Sequence, residues 1–170
     1  MSNVMQDSFA GFVQENQYKF YRLAYSYVKN QEEALDLVQE AAVRALQKLP
    51  TLRQPAYMKT WFYRILVNEC LTYLRRQKRM ATALPFEEDL LPQPTAEVTP
   101  LEMLSLIEKL EPELKTIIFL RFYEEMKLEE IAKVTETNLS TVKSRLYRAL
   151  RLLRLEIAEE EESYIEKSKG

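Results

Sequence analysis

The chain has 170 residues, with 24 Lys and Arg against 26 Asp and Glu, so its formal net charge is -2. Taken whole, that total argues against a basic nucleic-acid binder. The absence of His and the presence of only Gly11, Gly170 and Cys70 exclude His-based triads and His-ligated metals, glycine-rich phosphate loops, and any disulfide within the chain.

No catalytic group, metal set or cofactor is therefore expected. No apolar run approaches the roughly 20 residues that span a bilayer. The N-terminal MSNVMQDSF lacks the basic start and apolar core of a secretory signal. A soluble cytoplasmic protein without membrane insertion is the expectation.

Apolar spacing of period 3.6, with few glycines, predicts an all-α chain. A first helix covers about Asp7 to Lys29, with a break near Glu15–Gln17 and a stripe of Phe20, Leu23, Ala24, Tyr27 and Val28. Asn30 can cap a second helix, with Glu33 in the capping-box position. Its broad apolar face holds Ala34, Leu35, Val38, Ala41, Ala42, Ala45, Leu46 and Leu49, and Pro50 ends it. A third helix, from about Ala56 to Arg79, is rich in aromatics. Phe62 and Trp61 are expected to be buried there, with Tyr57 or Tyr63 freer.

Residues 81–99 change character. They hold Pro85, Pro92 and Pro94, four acidic residues and no Lys or Arg, and read as an acidic, Pro-rich linker between two small domains. Thr99, Pro100 and Glu102 form a helix start. Pro112 opens another helix through Leu114, Ile117, Ile118 and Phe122. Two further helices follow, about Leu128 to Thr135 and Leu139 to Leu155, with Asn138 capping the second. The acidic tail, 156–170, reads as a frayed helix end or disorder.

Charge counted by segment revises the first impression. Tyr57 to Met80 carries six basic side chains against one acidic, and Thr141 to Leu155 carries five against none. Two cationic helices, one in each half of the chain, suit phosphate neutralisation. Aromatics beside the first can stack on unpaired bases. The linker and tail each carry a net -4, and predict a compact free chain in which they cover the cationic helices. The last two helices read as a helix-turn-helix. Ile131 and Ala132 lie on the inner face of its first helix, and Val142, Leu146 and Leu150 on that of its second. A recognition helix of this kind presents Ser140, Thr141, Lys143, Ser144, Tyr147, Arg148 and Arg151 to a major groove.

Three blocks taken together, DLVQEAAVRAL (Asp36–Leu46), WFYRILVNECLTYLRR (Trp61–Arg76) and LEEIAKVTETNLSTVKSRLYRAL (Leu128–Leu150), resemble an extracytoplasmic-function sigma factor of the sigma-70 family. The resemblance runs from about Tyr18 to Leu153. It implies sigma region two at 1–80, a linker at 81–99, region four at 100–155 and a tail at 156–170. It also implies core RNA polymerase and promoter DNA as partners, and control by an anti-sigma factor, membrane-bound or free, in a stress response. By the same resemblance, Asp36, Leu37, Val38, Gln39 and Glu40 bind core polymerase, the carboxylates and amide as polar contacts while Leu37 or Val38 packs. Tyr57, Lys59, Trp61, Arg64, Asn68, Arg75 and Arg76 serve the minus-ten element, with Asn68 near a flipped base. The recognition-helix residues serve the minus-thirty-five element.

The sequence departs from the family pattern at four places. Glu136 stands at the usual turn glycine, Lys127 at the usual Ser or Thr cap, Ser140 at another frequent glycine, and Thr72 where Asp or Asn is common. A glycine-free turn at Glu136 is expected to be modified, since positive φ disfavours a Cβ. The competing reading is a stand-alone helix-turn-helix regulator. It accounts for the second half of the chain and leaves the first two blocks unexplained.

Overall fold

The computed structural model describes residues 2–81 and 105–168, with side chains for 4–80 and 105–154. The helices whose bounds lie within the described residues are α1 Ser2–Val28, α2 Gln31–Lys48, α3 Met58–Ala81, α4 Pro112–Ile118, α5 Leu128–Thr135 and α6 Leu139–Ser168, and residues 105–108 are also helical. Short 3-10 turns at Leu49–Thr51 and Pro55–Tyr57 carry the chain from α2 to α3, each with proline in its first turn. Among the described residues no helix is long and apolar enough to cross a membrane.

Helices α1, α2 and α3 pack on one another, α4 packs on α6, and α5 packs on both α6 and α3. The aromatic positions of α1 and α3 explain the first group. Phe62 is wholly buried, and its ring centroid lies 4.6 Å from Phe20, 5.8 Å from Phe9 and 5.9 Å from Phe12. Such tilted and edge-on pairs add to the burial of each ring. Asn30 caps α2 as expected, its Oδ1 accepting from the Glu33 N–H at 3.1 Å. Lys29, at φ 54°, turns the chain out of α1 in the left-handed region.

Several expectations are corrected. Helix α1 is continuous through Glu15–Gln17; this stretch holds no proline or glycine, and Asn16 donates to the Phe12 carbonyl within the same helix. On α2, Leu35 and Leu46 are exposed and Leu37 is buried, so the apolar residues fall on two faces. Phe122 is exposed, because α4 gives way to a π-helical turn at Phe119–Tyr123, where the Glu124 N–H donates to the Phe119 carbonyl. Tyr63 is buried at 1 % exposure, whereas Tyr57 is exposed. Leu150 is only half-buried, and Val134, Ala149 and Leu153 supply core contacts in the second half. The tail is helical to Ser168, in keeping with its Glu-rich composition. The linker at 82–99 and the helix start at Thr99 lie outside the described residues.

The two halves pack against each other across one connected apolar cluster. The Tyr27 and Thr116 hydroxyls hydrogen-bond across the contact. Lys115, at 5 % exposure, donates from Nζ to the Ser26 carbonyl at 2.8 Å and to the Glu108 carbonyl at 3.1 Å. Burial, with the charge of Lys29 adding to it, pushes the Lys115 ammonium down to about 8.

Phe62→Ala is expected to remove about 3–5 kcal/mol of stability, measured by denaturant unfolding. The unfolded chain keeps Lys115 protonated to about its ordinary 10.5, so above about pH 8 it binds more protons there than the folded chain does. The contribution of Lys115 to stability therefore rises between these two values. The stability difference between wild type and Lys115→Met is expected to move in favour of wild type as pH is raised through that window.

Candidate nucleic-acid interface

Helix α3 is divided lengthwise by its own periodicity. Phe62, Ile65, Leu66, Val67 and Cys70 face the core. That rotation leaves Trp61, Arg64, Asn68 and Arg75 along the opposite side, spaced as residues on one helical face. Trp61 is half-buried against Phe9, edge to face at 6.2 Å, while Arg64, Asn68, Arg75 and Arg76 are exposed. Tyr57 stands at the head of this face, 57 % exposed. Lys59 points to another side and meets Glu124, donating from Nζ to its carbonyl at 3.0 Å with the carboxylate 3.7 Å away. Burial and the same carboxylate raise the pKa of the Tyr63 phenol, which stays protonated. Burial likewise pushes the Cys70 thiol up and keeps it inert.

The second cationic face lies on α6. Val142, Leu146, Ala149 and Leu153 are buried, which turns Ser140, Ser144, Tyr147, Arg148 and Arg151 outward. Lys143 is also exposed, and Thr141 is half-buried. Arg145 is held to the side by Glu113 at 3.4 Å. The start of α6 is fixed by Asn138, whose Oδ1 accepts from the Thr141 N–H at 2.8 Å. The turn before it is not modified. Glu136 takes the left-handed conformation itself, at φ 54° and ψ 37°, at a cost of roughly 1–2 kcal/mol relative to glycine. Lys127 makes no side-chain cap to α5, and the Glu130 carboxylate accepts from the Lys127 N–H at 3.4 Å.

The two cationic faces differ in what covers them. Among the described residues nothing covers the outward face of α6. Part of the α3 face meets the second half of the chain: Arg64 donates from Nε to Glu136 Oε1 at 2.6 Å, and its Nη2 lies 2.6 Å from the same oxygen as an ion pair. Ala56, Tyr57, Thr60, Trp61 and Arg64 form one wall of a groove whose other wall is Glu130, Lys133 and Glu136. The Lys133 ammonium lies over the Tyr57 ring at 5.9 Å. These acidic groups belong to the helix-turn-helix. The linker expected to cover the cationic helices lies outside the described residues, and no tail side chain is described.

The DLVQE block divides in the same manner. Asp36, Gln39 and Glu40 are exposed on α2, whereas Leu37 and Val38 are buried and serve the fold. The exposed apolar residues there are Leu35, Val43 and Leu46, which together with Gln39 form a stripe at helical spacing. A second period of apolar residues, offset from Ala34, Val38, Ala41 and Ala45, was the signal in the sequence.

Residues 12–80 match the family described as sigma-70 region 2, and residues 101–153 match sigma-70 region 4. The chain is 42 % identical to the RNA polymerase sigma factor SigV of Bacillus subtilis, over 88 % of this chain and 90 % of that one. It is 31 % identical to the extracytoplasmic-function RNA polymerase sigma-E factor of Escherichia coli K12, over 85 % and 83 % of the two chains. Among solved structures, the fold is similar to the sigma factor RpoE in complex with the anti-sigma factor NepR from Bartonella quintana. That match has a TM-score of 0.68 and 24 % identity, covering 85 % of this chain and 94 % of that one. It is also similar to CnrH in complex with the cytosolic domain of CnrY, with a TM-score of 0.66 and 22 % identity over 91 % and 90 %.

Replacing the α6 cap, Asn138→Ala, is expected to cost about 1 kcal/mol, read as a lower unfolding midpoint. Its effect on helix content should be small, because Val142, Leu146, Ala149 and Leu153 hold α6 in the core.

Proposed function

The chain belongs to the extracytoplasmic-function sigma factors of the sigma-70 family, the factors that direct RNA polymerase to promoters, and from this premise we propose how its residues divide that work. Asp36, Gln39 and Glu40, with the exposed stripe of Leu35, Val43 and Leu46, meet core RNA polymerase. Tyr57, Trp61, Arg64, Asn68, Arg75 and Arg76 take the minus-ten element. Ser140, Lys143, Ser144, Tyr147, Arg148 and Arg151 take the minus-thirty-five element, with Thr141 at the head of the recognition helix. Lys59 supports the minus-ten face from the side. The observation that carries this reading is the pair of outward cationic faces, one on α3 beside aromatics and one on the second helix of a helix-turn-helix.

The mechanism needs no reaction on this chain. Opening a promoter costs the stacking of each step, on average about 1.4 kcal/mol. Each unpaired base captured by stacking on an aromatic returns about 1–3 kcal/mol. Tyr57 and Trp61 supply ring faces, and Asn68 supplies an amide able to hydrogen-bond the edge of an extruded base. Arg64, Arg75 and Arg76 neutralise the backbone of the captured strand. On α6, Arg148 and Lys143 can pair with guanine edges or phosphates in duplex DNA. Polymerase performs the chemistry, and this chain contributes position and strand separation in the cytoplasm. We also propose an anti-sigma factor as a regulatory partner, in line with the complexes in which its fold neighbours were solved.

Run-off transcription with core polymerase on a promoter library tests the assignment. Wild type should stimulate initiation. Asn68→Ala should reduce opening about tenfold or shift the minus-ten preference. Arg148→Ala should cost about 1–3 kcal/mol of upstream binding while leaving opening on pre-melted templates intact. Lack of stimulation by wild type, or equal activity of all three proteins on every promoter, would overturn the reading.

A further inference from the structure

We propose that Arg44 on α2 serves promoter opening without touching DNA: it neutralises Glu69, the one carboxylate of α3, and so frees the helix that takes the melted strand of negative charge. The proposal rests on the assignment of α3 to minus-ten DNA. Helix α3 carries six basic side chains and a single acidic one, Glu69, next in sequence to Asn68. Helices α2 and α3 pack on each other, and at their seam Arg44 Nε lies 2.7 Å from Glu69 Oε1. That is the short separation of a charge-assisted contact. The Glu69 side chain is 13 % exposed, whereas that of Arg44 is 55 % exposed. The carboxylate is thus sheltered from water, and Arg44 stands over it from the solvent side.

A sheltered charge is screened less than one in open solvent, so its field reaches further. The neighbouring Cys70 registers that field: after burial, the Glu69 charge is the second cause that pushes its thiol up. The phosphates of a strand laid along Arg64, Asn68 and Arg75 would meet the same negative field, and it would oppose them. A cation at contact distance cancels it. Arg44 belongs neither to the residues assigned to core polymerase nor to either DNA face, so those assignments leave it without a role. Neutralisation gives it one, and that role depends on the sign of the charge at the seam. A strut between two helices would depend only on the pair being intact.

The test uses holoenzyme assembled from core polymerase and the full-length chain. A fluorescent base analogue in the minus-ten element of a paired promoter reports opening. The affinity of each variant for core polymerase and its unfolding midpoint are measured alongside. Arg44→Ala leaves the seam negative, Glu69→Gln leaves it positive, and the two together leave it neutral, as in wild type. Opening should follow that order. At about 0.05 M salt, Arg44→Ala should fall about threefold below wild type and Glu69→Gln should rise about twofold above it, with the double variant equal to wild type. The spread should narrow as salt rises, and affinity for core polymerase should not change. A fall in opening for both single variants, in step with lower unfolding midpoints, would make the pair a strut and overturn the proposal. Equal impairment of Arg44→Ala and the double variant, with weaker binding to core polymerase, would make Arg44 a polymerase contact and overturn it as well. So would unchanged opening in both single variants. Asn68→Ala and Arg64→Ala separate this from the underlying assignment. If they impair opening while the charge variants change nothing, the assignment stands and the neutralisation falls. If they open promoters as wild type does, α3 is not the strand face and both fall.

Discussion

Phe62 meets Phe9, Phe12 and Phe20 in a dry aromatic cluster, and that contact sets the rotation of α3 about its own axis. Once Phe62 is turned inward, Leu66 and Cys70 follow it at helical spacing, and Trp61, Arg64, Asn68 and Arg75 must face away. The candidate strand-opening face is thus a consequence of core packing. Several kcal/mol of aromatic burial, to which Trp61 adds through Phe9, hold these four side chains in register. The recognition helix repeats the arrangement, with Val142, Leu146, Ala149 and Leu153 fixing the outward direction of Ser144, Tyr147, Arg148 and Arg151.

The contact between the halves is of a different kind. It includes the Tyr27–Thr116 hydroxyl pair, the buried ammonium of Lys115 and the buried carboxylate of Glu124. Buried charges are costly to desolvate and repay that cost only through well-placed partners. Lys115 has two carbonyl acceptors, one of them on α1, whereas the Glu124 carboxylate has Lys59 3.7 Å from one oxygen and, among the described residues, no hydrogen-bond partner on Oε1. These polar groups lie beside the apolar cluster that joins the two halves.

The near-neutral total charge acquires a physical meaning from these contacts. It is the sum of cationic helices and acidic segments, and the structure pairs some of them directly. Glu124 and Glu136 of the second half meet Lys59 and Arg64 of the first, and Glu113 meets Arg145 within the second.

Local patterns in the sequence settled the helical class, the cap residues Asn30 and Asn138, the span Leu128–Thr135 and the cationic character of α3 and α6. All of these depend on interactions within a few residues, and spacing along the chain records such interactions. The same patterns misjudged Tyr63, Leu35, Leu37 and Phe122, because an apolar residue near the edge of a stripe is buried or exposed according to what lies opposite it. The turn at Glu136 was foreseen as a departure from glycine, but its left-handed geometry and its pairing with Arg64, 72 residues away, were not. Only the tertiary structure decided which side chains join the two halves, and that they meet across the face assigned to strand opening. Such contacts join side chains far apart in sequence, and no periodicity in a single chain carries their register.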